Sequence, residues 1–215
     1  LGGKVVLLEQ NSYPGITNRI LEKRASQIHL SFEDSIKYFK NKNSIKLTGN
    51  PIRNNLKLSD KNLALKSFGL DESMRTLLVL GGSLGAGTIN DVVKEYSQNL
   101  VNNGIQLIWQ TGDLYYNQYK SFDGKNIKVV PFIEEMDKAY SACDLVLCRA
   151  GATTIAEVAA LGLAVIFVPS KFVAENHQYK NAKSILEADA AGMILDDELS
   201  IEFPIKIEKL IYNDE

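Results

Sequence analysis

LLVLGGSLGAGTIND, residues 77–91, begins with four aliphatic residues, passes through a glycine-rich turn and continues into an amphipathic segment. This order is typical of a buried strand, a tight loop and the first turns of a helix in a parallel sheet. The loop offers close backbone approach and free N–H groups to an anionic ligand. The spacing of its glycines does not match GxGxxG. It is not a P-loop either, because no Gly-Lys-Ser/Thr follows. The alternative is a tight turn in which the glycines only supply permissive backbone angles.

Outward from this stretch, short aliphatic runs alternate with amphipathic segments of helical length, which predicts an α/β fold with parallel sheets and flanking helices. The predicted strands are Val5–Leu8, Ile28–Ser31, Ile45–Thr48, Thr76–Leu80, Gln106–Gln110, Ile127–Val130, Asp144–Cys148, Ala164–Val168 and Met193–Leu195. The predicted helices are Ile16–Ala25, Glu33–Phe39, Asn62–Phe68, Gly85–Val101, Leu114–Ser121, Met136–Ala142, Thr153–Ala160, Asn176–Ala188 and Ile201–Leu210. The polar stretch 50–55, which contains the helix-breaking Pro51, is the candidate interdomain linker.

Composition excludes several classes of protein. The chain has 215 residues, 45% of them apolar, which is enough for one large globular domain or one domain and part of another. Its 24 basic and 26 acidic residues form no block of like charge. A partner made of nucleic acid is therefore not expected, because phosphate-backbone binding needs a concentrated basic face.

The two cysteines and the apolar runs indicate the cellular setting. Cys143 and Cys148 fit neither a metal clip nor a disulfide framework, which favours a reduced, cytoplasmic environment. No apolar run approaches the roughly 20 residues that span a bilayer. The start LGGKVVLLEQ has neither an initiator Met nor a signal-peptide pattern, so we expect a fragment of a longer chain.

The run CRAGATTIAE, residues 148–157, follows a predicted strand and opens a helix. Thr154 and Glu157 have the spacing of a capping box, in which Glu157 reaches back to the helix start. The functional alternative is that the helix N-terminus and the hydroxyls of Thr153 and Thr154 face a diphosphate. Glu157, one turn further, would then accept hydrogen bonds from two ribose hydroxyls.

Three more polar residues have both an ordinary and a functional interpretation. His177 and Gln178, in FVPSKFVAENHQYKNA (167–182), form either a solvated helix start or a pair that reads sugar hydroxyls. Arg53 is either a surface linker residue or a bidentate partner of phosphate oxygens. No Asp-x-Asp occurs, which argues against a metal-bridged diphosphate. We expect no metal and no cofactor.

The motifs EQNSYPG, TGNPIR, GGSLGA, PFIEEM, CRAGATTIAE and HQYKNA occur in this order over nearly the whole chain, and the series resembles the MurG family of glycosyltransferases. The resemblance implies a GT-B fold, with Rossmann-like parallel sheets in two domains of which the first is only partly present. Residues 1–50 would end the acceptor-binding N-terminal domain. Residues 51–215 would form the donor-binding C-terminal domain, truncated at its end.

The resemblance also implies a site for UDP-N-acetylglucosamine. Ile133 would present its backbone to the uracil, and Glu157 would bind the ribose. Ser83, Arg53 and the helix start would surround the diphosphate, Gln178 and His177 would read the sugar, and Asn11 would approach it from the other domain. The complete set of implied donor-binding residues is Asn11, Arg53, Ser83, Ile133, Ala152, Thr153, Thr154, Ile155, Ala156, Glu157, His177 and Gln178.

The implied reaction is an inverting transfer of N-acetylglucosamine to the lipid-linked N-acetylmuramyl-pentapeptide of peptidoglycan synthesis, at the cytoplasmic face of the bacterial plasma membrane. Membrane contact would be peripheral and made by the missing part of the first domain. The family's catalytic base would precede residue 1, so the chain alone would be inactive, and Leu8 stands where the family usually has His. One alternative is a noncatalytic nucleotide-sugar-binding subunit of a split enzyme. Another is a nucleotide-dependent oxidoreductase that uses the glycine loop, although the GxGxxG fingerprint of such enzymes is missing.

Overall fold

The computed structural model of the chain describes residues 3–54 and 56–213, so Asn55 at the end of the predicted linker lies outside the described residues. Its strands form two parallel sheets, one of three strands and one of six. The strands are β1 Val5–Glu9, β2 Ala25–Leu30, β3 Ile45–Leu47, β4 Arg75–Leu80, β5 Ile105–Gln110, β6 Ile127–Val130, β7 Leu145–Cys148, β8 Val165–Phe167 and β9 Gly192–Met193. The α-helices are α1 Ile16–Leu21, α2 Lys61–Phe68, α3 Gly87–Asn102, α4 Tyr116–Tyr119, α5 Met136–Ala142, α6 Ala152–Leu161, α7 His177–Leu186 and α8 Leu199–Ile211.

Every predicted strand is present, and three predicted helices are corrected. The first ends at Leu21 and is followed by a 3-10 turn, because Ala25 already pairs with Val5 in the sheet. Glu33–Tyr38 is a 3-10 helix, whose last i to i+3 bond runs from the Phe39 N–H to the Ile36 carbonyl. The segment predicted as Leu114–Ser121 contains one α-turn, α4, and then a 3-10 turn. Local amphipathicity identified these segments but not the type of helix.

The larger sheet has the strand order β6-β5-β4-β7-β8-β9. The chain enters at β4, proceeds outward through β5 and β6, and then returns to the other side of β4 as β7. The strand order therefore reverses between β4 and β7. In doubly wound sheets this reversal opens a crevice at the carboxyl ends of the two strands.

The core of the larger domain lies on both faces of this sheet. Along β4, Leu77 and Val79 pack into one buried cluster with residues of α3 and α8, whereas Leu78 and Leu80 pack into another with residues of α2 and α5. A strand buried on both faces has a continuous apolar sequence, as LLVL does. The stretch that indicated the fold class is thus the centre of the sheet.

The three-stranded sheet has one covered and one open face. Leu7, Ile28, Leu30 and Phe39 form its buried cluster. On the opposite face of β1, Val6 is 57% exposed and Leu8 is 42% exposed. Their cross-strand neighbours on this face are Gln27 and His29, so the open face is mixed, and Val6 and Leu8 are its exposed apolar residues. Among the described residues, no helix combines the length and the apolar character needed to cross a bilayer.

Asn181 of α7 connects the two sheets. Its side chain is fully buried. Its Oδ1 accepts from the N–H of Ser12 at 2.8 Å, and its Nδ2 donates to Oδ1 of Asn11 at 3.0 Å and to the Ala150 carbonyl at 3.4 Å. One amide thus holds the loop after β1 against the loop after β7.

The buried thiol of Cys148 predicts a loss of stability at alkaline pH. Burial, and then the neighbouring Cys143, raises the pKa of this thiol above its ordinary value. Above about pH 9 the unfolded chain releases the proton that the folded chain retains, so the free energy of unfolding falls by up to about 1.4 kcal/mol per pH unit. Cys148→Ala lacks this thiol. In urea titrations, the free energy of unfolding of the wild type should therefore exceed that of Cys148→Ala by a smaller amount above pH 9 than at pH 8. A constant difference from pH 8 to 10 would contradict this.

Candidate functional site

A cavity of about 450 Å³ lies at the carboxyl ends of β4, β5 and β7, where the strand order reverses. This volume lies within the range of small-molecule sites, roughly 300–1,000 Å³. Its lining is Arg53, Leu80, Gly81, Gly82, Ser83, Gln110, Phe132, Met136, Tyr140, Arg149, Gly151, Thr153, Thr154, Glu157 and Gln178.

The glycine loop after β4 forms one wall of this cavity. Gly82 and Gly85 both have a φ of +84°, a conformation that favours glycine. A Cβ on Gly85 would stand 2.1 Å from the Thr111 carbonyl oxygen, so the loop packs directly against the backbone that follows β5. The glycines are therefore required by geometry, and they place the exposed Ser83 on the rim.

The N-terminus of α6 forms the facing wall. Gly151 is the N-cap residue and makes no side-chain cap, while Gly151, Thr153 and Thr154 all line the cavity. A helix N-terminus carries free N–H groups and a partial positive charge, which suits an anion. The capping-box interpretation is wrong, because Thr154 lies inside the helix and Glu157 bonds to a different element.

Glu157 is a buried carboxylate in the wall of the cavity, with 6% of its surface exposed. Its Oε2 accepts a hydrogen bond of 2.9 Å from the Tyr140 hydroxyl, and its Oε1 lies 3.9 Å from Nε of Arg53. Burial, followed by the charge of Glu157, raises the pKa of Tyr140, so its hydroxyl stays a neutral donor. Tyr140 therefore holds one carboxylate oxygen while the other lies on the Arg53 side.

The Tyr140→Phe variant tests whether this hydroxyl orients Glu157. The substitution removes one hydrogen bond to a buried charged group, which is worth about 1.5–3 kcal/mol. We expect the affinity for UDP to fall about fivefold, because the carboxylate gains freedom at the cavity wall. Calorimetric titration of both proteins measures the change. Equal affinities would show that Glu157 is oriented without Tyr140.

Arg149 is a cation that the sequence interpretation did not select. Its Nη1 donates to the Val168 carbonyl at 3.0 Å and to Oδ1 of Asp196 at 2.8 Å, and its Nη2 donates to Thr88 at 2.8 Å. Arg149 lines both the main cavity and a neighbouring cavity of about 500 Å³. Gly81 and Gln178 also line both cavities. The position of Arg149 directly after a predicted strand was the signal that could have identified it.

Gln110 and Tyr140 are two further lining residues that the sequence interpretation missed. Gln110 is the last residue inside a predicted strand, so its place at the carboxyl end of the sheet, where ligands bind, was the available signal. Tyr140 lies in the middle of α5, and nothing in its local sequence distinguishes it from a core residue.

The structure brings six predicted residues together at the cavity: Arg53, Ser83, Thr153, Thr154, Glu157 and Gln178. The other six do not line it: Asn11, Ile133, Ala152, Ile155, Ala156 and His177. Ile133 and Ile155 are buried in the core, and the N–H of Ile133 is bonded to Gln110. Asn11 makes the interdomain contact with Asn181. The side chain next to Ile133, Phe132, lines the cavity in its place.

Comparison with known proteins identifies the family. Residues 76–214 match the Glycosyltransferase family 28 C-terminal domain. The chain is 43% identical over 214 residues to the UDP-N-acetylglucosamine--N-acetylmuramyl-(pentapeptide) pyrophosphoryl-undecaprenol N-acetylglucosamine transferase of Flavobacterium psychrophilum, with 98% of this chain and 58% of the relative covered. It is 44% identical to the enzyme of the same name from Christiangramia forsetii over 204 residues, covering 94% and 56%.

A solved structure agrees with these relatives. The crystal structure of Acinetobacter baumannii MurG superposes with a TM-score of 0.72 at 28% identity, over 99% of this chain and 59% of that one. The predicted GT-B fold and the resemblance to the MurG family are therefore confirmed. The chain spans somewhat less than 60% of the length of these two relatives and of this structure. It belongs to glycosyltransferase family 28, whose C-terminal domain it carries over residues 76–214.

Proposed function

We propose that this chain is the donor-binding part of an inverting glycosyltransferase that moves N-acetylglucosamine from UDP-N-acetylglucosamine to a lipid-linked N-acetylmuramyl-pentapeptide. The observation that carries the proposal is one cavity that contains a glycine loop, an uncapped helix N-terminus and a buried carboxylate. These groups match a diphosphate and the diol of an adjacent ribose. The relatives' names state the same donor and acceptor.

The arrangement of charge supports a direction for the nucleotide. The N-terminus of α6, Ser83 and Arg53 supply donors for the diphosphate. Glu157 lies three residues beyond Thr154 on the same helix, about 4.5 Å along its axis, so the group that it would contact is the one next to the diphosphate. Phe132 and Met136 provide the apolar lining for the planar base. Gln178, on the side shared with the neighbouring cavity, would read the sugar.

The chemistry assigned to these residues is stabilisation of the leaving group. In an inverting displacement, the C4 hydroxyl of the muramyl sugar attacks the anomeric carbon, and the bond to UDP breaks with its electron pair on the diphosphate. The N–H groups of α6 are fixed where this charge develops, and such preorganised stabilisation is usually the largest contribution to catalysis. Arg53, whose side chain is half exposed at the same cavity, would add a positive charge. A general base must take the hydroxyl proton. We assign that base to no residue of this chain.

Calorimetric titration of the purified chain tests the proposal. UDP and UDP-N-acetylglucosamine are expected to bind, UDP-galactose to bind more weakly than UDP-N-acetylglucosamine, and NAD not to bind. Binding of NAD without competition from UDP would contradict the proposal and favour an oxidoreductase. Absence of binding by a folded sample would show that this chain does not bind the donor alone. The same titration of a longer chain that includes the acceptor domain would then decide whether the cavity is a donor site.

A second candidate is a donor-binding subunit that acts only with a separate acceptor-binding partner. Val6 and Leu8, exposed on the open face of the three-stranded sheet, are the apolar residues that such a partner would contact. Both candidates place residues 1–50 with the acceptor domain and 51–215 with the donor domain, and both place the assembly peripherally at the cytoplasmic face of the plasma membrane. The chain alone should transfer no sugar to a muramyl-lipid acceptor. Activity that requires a separately encoded protein would support the second candidate.

A further inference from the structure

Gln110 is the last residue of β5 and has 4% of its surface exposed. Its Oε1 accepts a hydrogen bond of 2.9 Å from the N–H of Ile133, and its Nε2 donates to the Gly82 carbonyl at 3.2 Å. One amide therefore connects the glycine loop to the loop that contains Phe132. Both loops form walls of the cavity.

The sheet explains why this residue reaches both loops. In the parallel register, Gln110 is paired with Leu80 on one side and with Val130 on the other. Each neighbouring strand ends at the same edge and continues directly into one of the two loops. A side chain that ends the middle strand thus lies between them, and the glutamine amide offers both an acceptor and a donor.

We propose that Gln110 is a positioning residue that sets the distance between the base end and the phosphate end of the nucleotide site. This inference rests on the proposed function. The bond to Ile133 fixes the base side through the adjacent Phe132. The bond to Gly82 fixes the glycine loop, and with it Ser83, on the phosphate side. The two bonds contribute to different parts of ligand recognition, so they can be separated experimentally.

Two substitutions separate the two bonds. Gln110→Glu keeps an acceptor for the Ile133 N–H but places a carboxylate oxygen against the Gly82 carbonyl, which displaces the glycine loop. Gln110→Met removes both bonds without adding charge. Gln98→Glu, at an exposed position of α3, is the control for the added negative charge.

The readouts are two affinity ratios measured by calorimetry. We expect the preference for UDP over UMP to fall about tenfold in both Gln110 variants, since the second phosphate reports on the glycine loop. The preference for UDP over CDP should stay within about twofold in Gln110→Glu and fall in Gln110→Met. Hydrogen exchange at the Ile133 amide should remain slow in Gln110→Glu and become faster in Gln110→Met.

The outcomes distinguish this inference from the proposed function. If neither the wild-type chain nor a longer chain that includes the acceptor domain binds a uridine nucleotide, the proposed function fails. If the wild type binds but both Gln110 variants lose affinity for all ligands equally, with unchanged ratios, Gln110 is only structural and the inference is overturned. If Gln110→Met does not fold, Gln110→Glu with its exchange measurement still decides the matter, because it retains the bond to Ile133.

Discussion

Replacement of Glu157 by alanine is expected to weaken UDP binding about 100-fold. The carboxylate is buried, lies in the cavity wall and is oriented by Tyr140. Hydrogen bonds to a charged group contribute about 1.5–3 kcal/mol each, and a ribose diol would make two. The loss should also appear as lower stability, because the Tyr140 hydroxyl remains buried without its acceptor. Calorimetric titration with UDP, beside a urea titration of each protein, measures both effects.

Two further variants make this test specific. Glu157→Gln keeps an acceptor for Tyr140 but removes the charge, so we expect an intermediate loss of about tenfold. Glu95→Ala removes an exposed carboxylate from α3 and should leave UDP affinity unchanged. If Glu157→Ala bound UDP as tightly as Glu95→Ala does, the ribose assignment would be wrong. The cavity would then bind its ligand in another orientation.

Replacement of Gly85 by alanine is expected to reduce the free energy of unfolding by about 3 kcal/mol or more. The residue has a φ of +84°, which costs an L-residue about 1–2 kcal/mol. In addition, the new Cβ would stand 2.1 Å from the Thr111 carbonyl oxygen and 2.8 Å from the Tyr115 ring. Movement of the Thr111 carbonyl away from the new Cβ would break the buried hydrogen bond of 2.9 Å that it accepts from the Asn90 side chain. Urea unfolding at neutral pH gives the value.

Gly15→Ala is the matched control for this substitution. Gly15 has a φ of −61°, and a Cβ there would meet nothing within 4 Å. Its substitution should change the free energy of unfolding by less than about 1 kcal/mol. Similar stabilities for Gly85→Ala and Gly15→Ala would show that the glycine loop can relax. The tight approach of the loop to β5 would then not be required for folding.

Much of the fold could be read from local sequence. β4 and β7 are aliphatic runs buried on both faces, and such runs identify parallel strands without reference to distant residues. Helix α5 was predicted with its observed bounds, because Met136, Ala139 and Tyr140 repeat at helical spacing. The prediction failed at Ala25, where pairing with β1 determined the end of the helix, and no local pattern encodes a partner twenty residues away.

For the candidate site, position after a strand was the useful signal. It located Ser83, Thr153 and Thr154. It also covered Arg149, which was given no role, but not Gln110, which is the last residue inside a predicted strand. For Arg53, Glu157 and Gln178, the local sequence left an ordinary and a functional interpretation open, and the resemblance favoured the functional one. All three line the cavity. The resemblance did not show that Ile133 has its N–H bonded to Gln110, since that contact joins residues 23 positions apart.

The sequence by itself determined the α/β class, the order of strands along the chain, the family and the glycine loop, because each of these depends on patterns of residues that are neighbours in the sequence. The tertiary structure alone decided the reversal of strand order between β4 and β7, the Tyr140–Glu157 bond and the joining of two loops by Gln110. It also decided against the capping box, although Thr154 and Glu157 have its spacing. The physical reason is that a buried carboxylate takes the best donor within reach, and tertiary packing decides which donor that is.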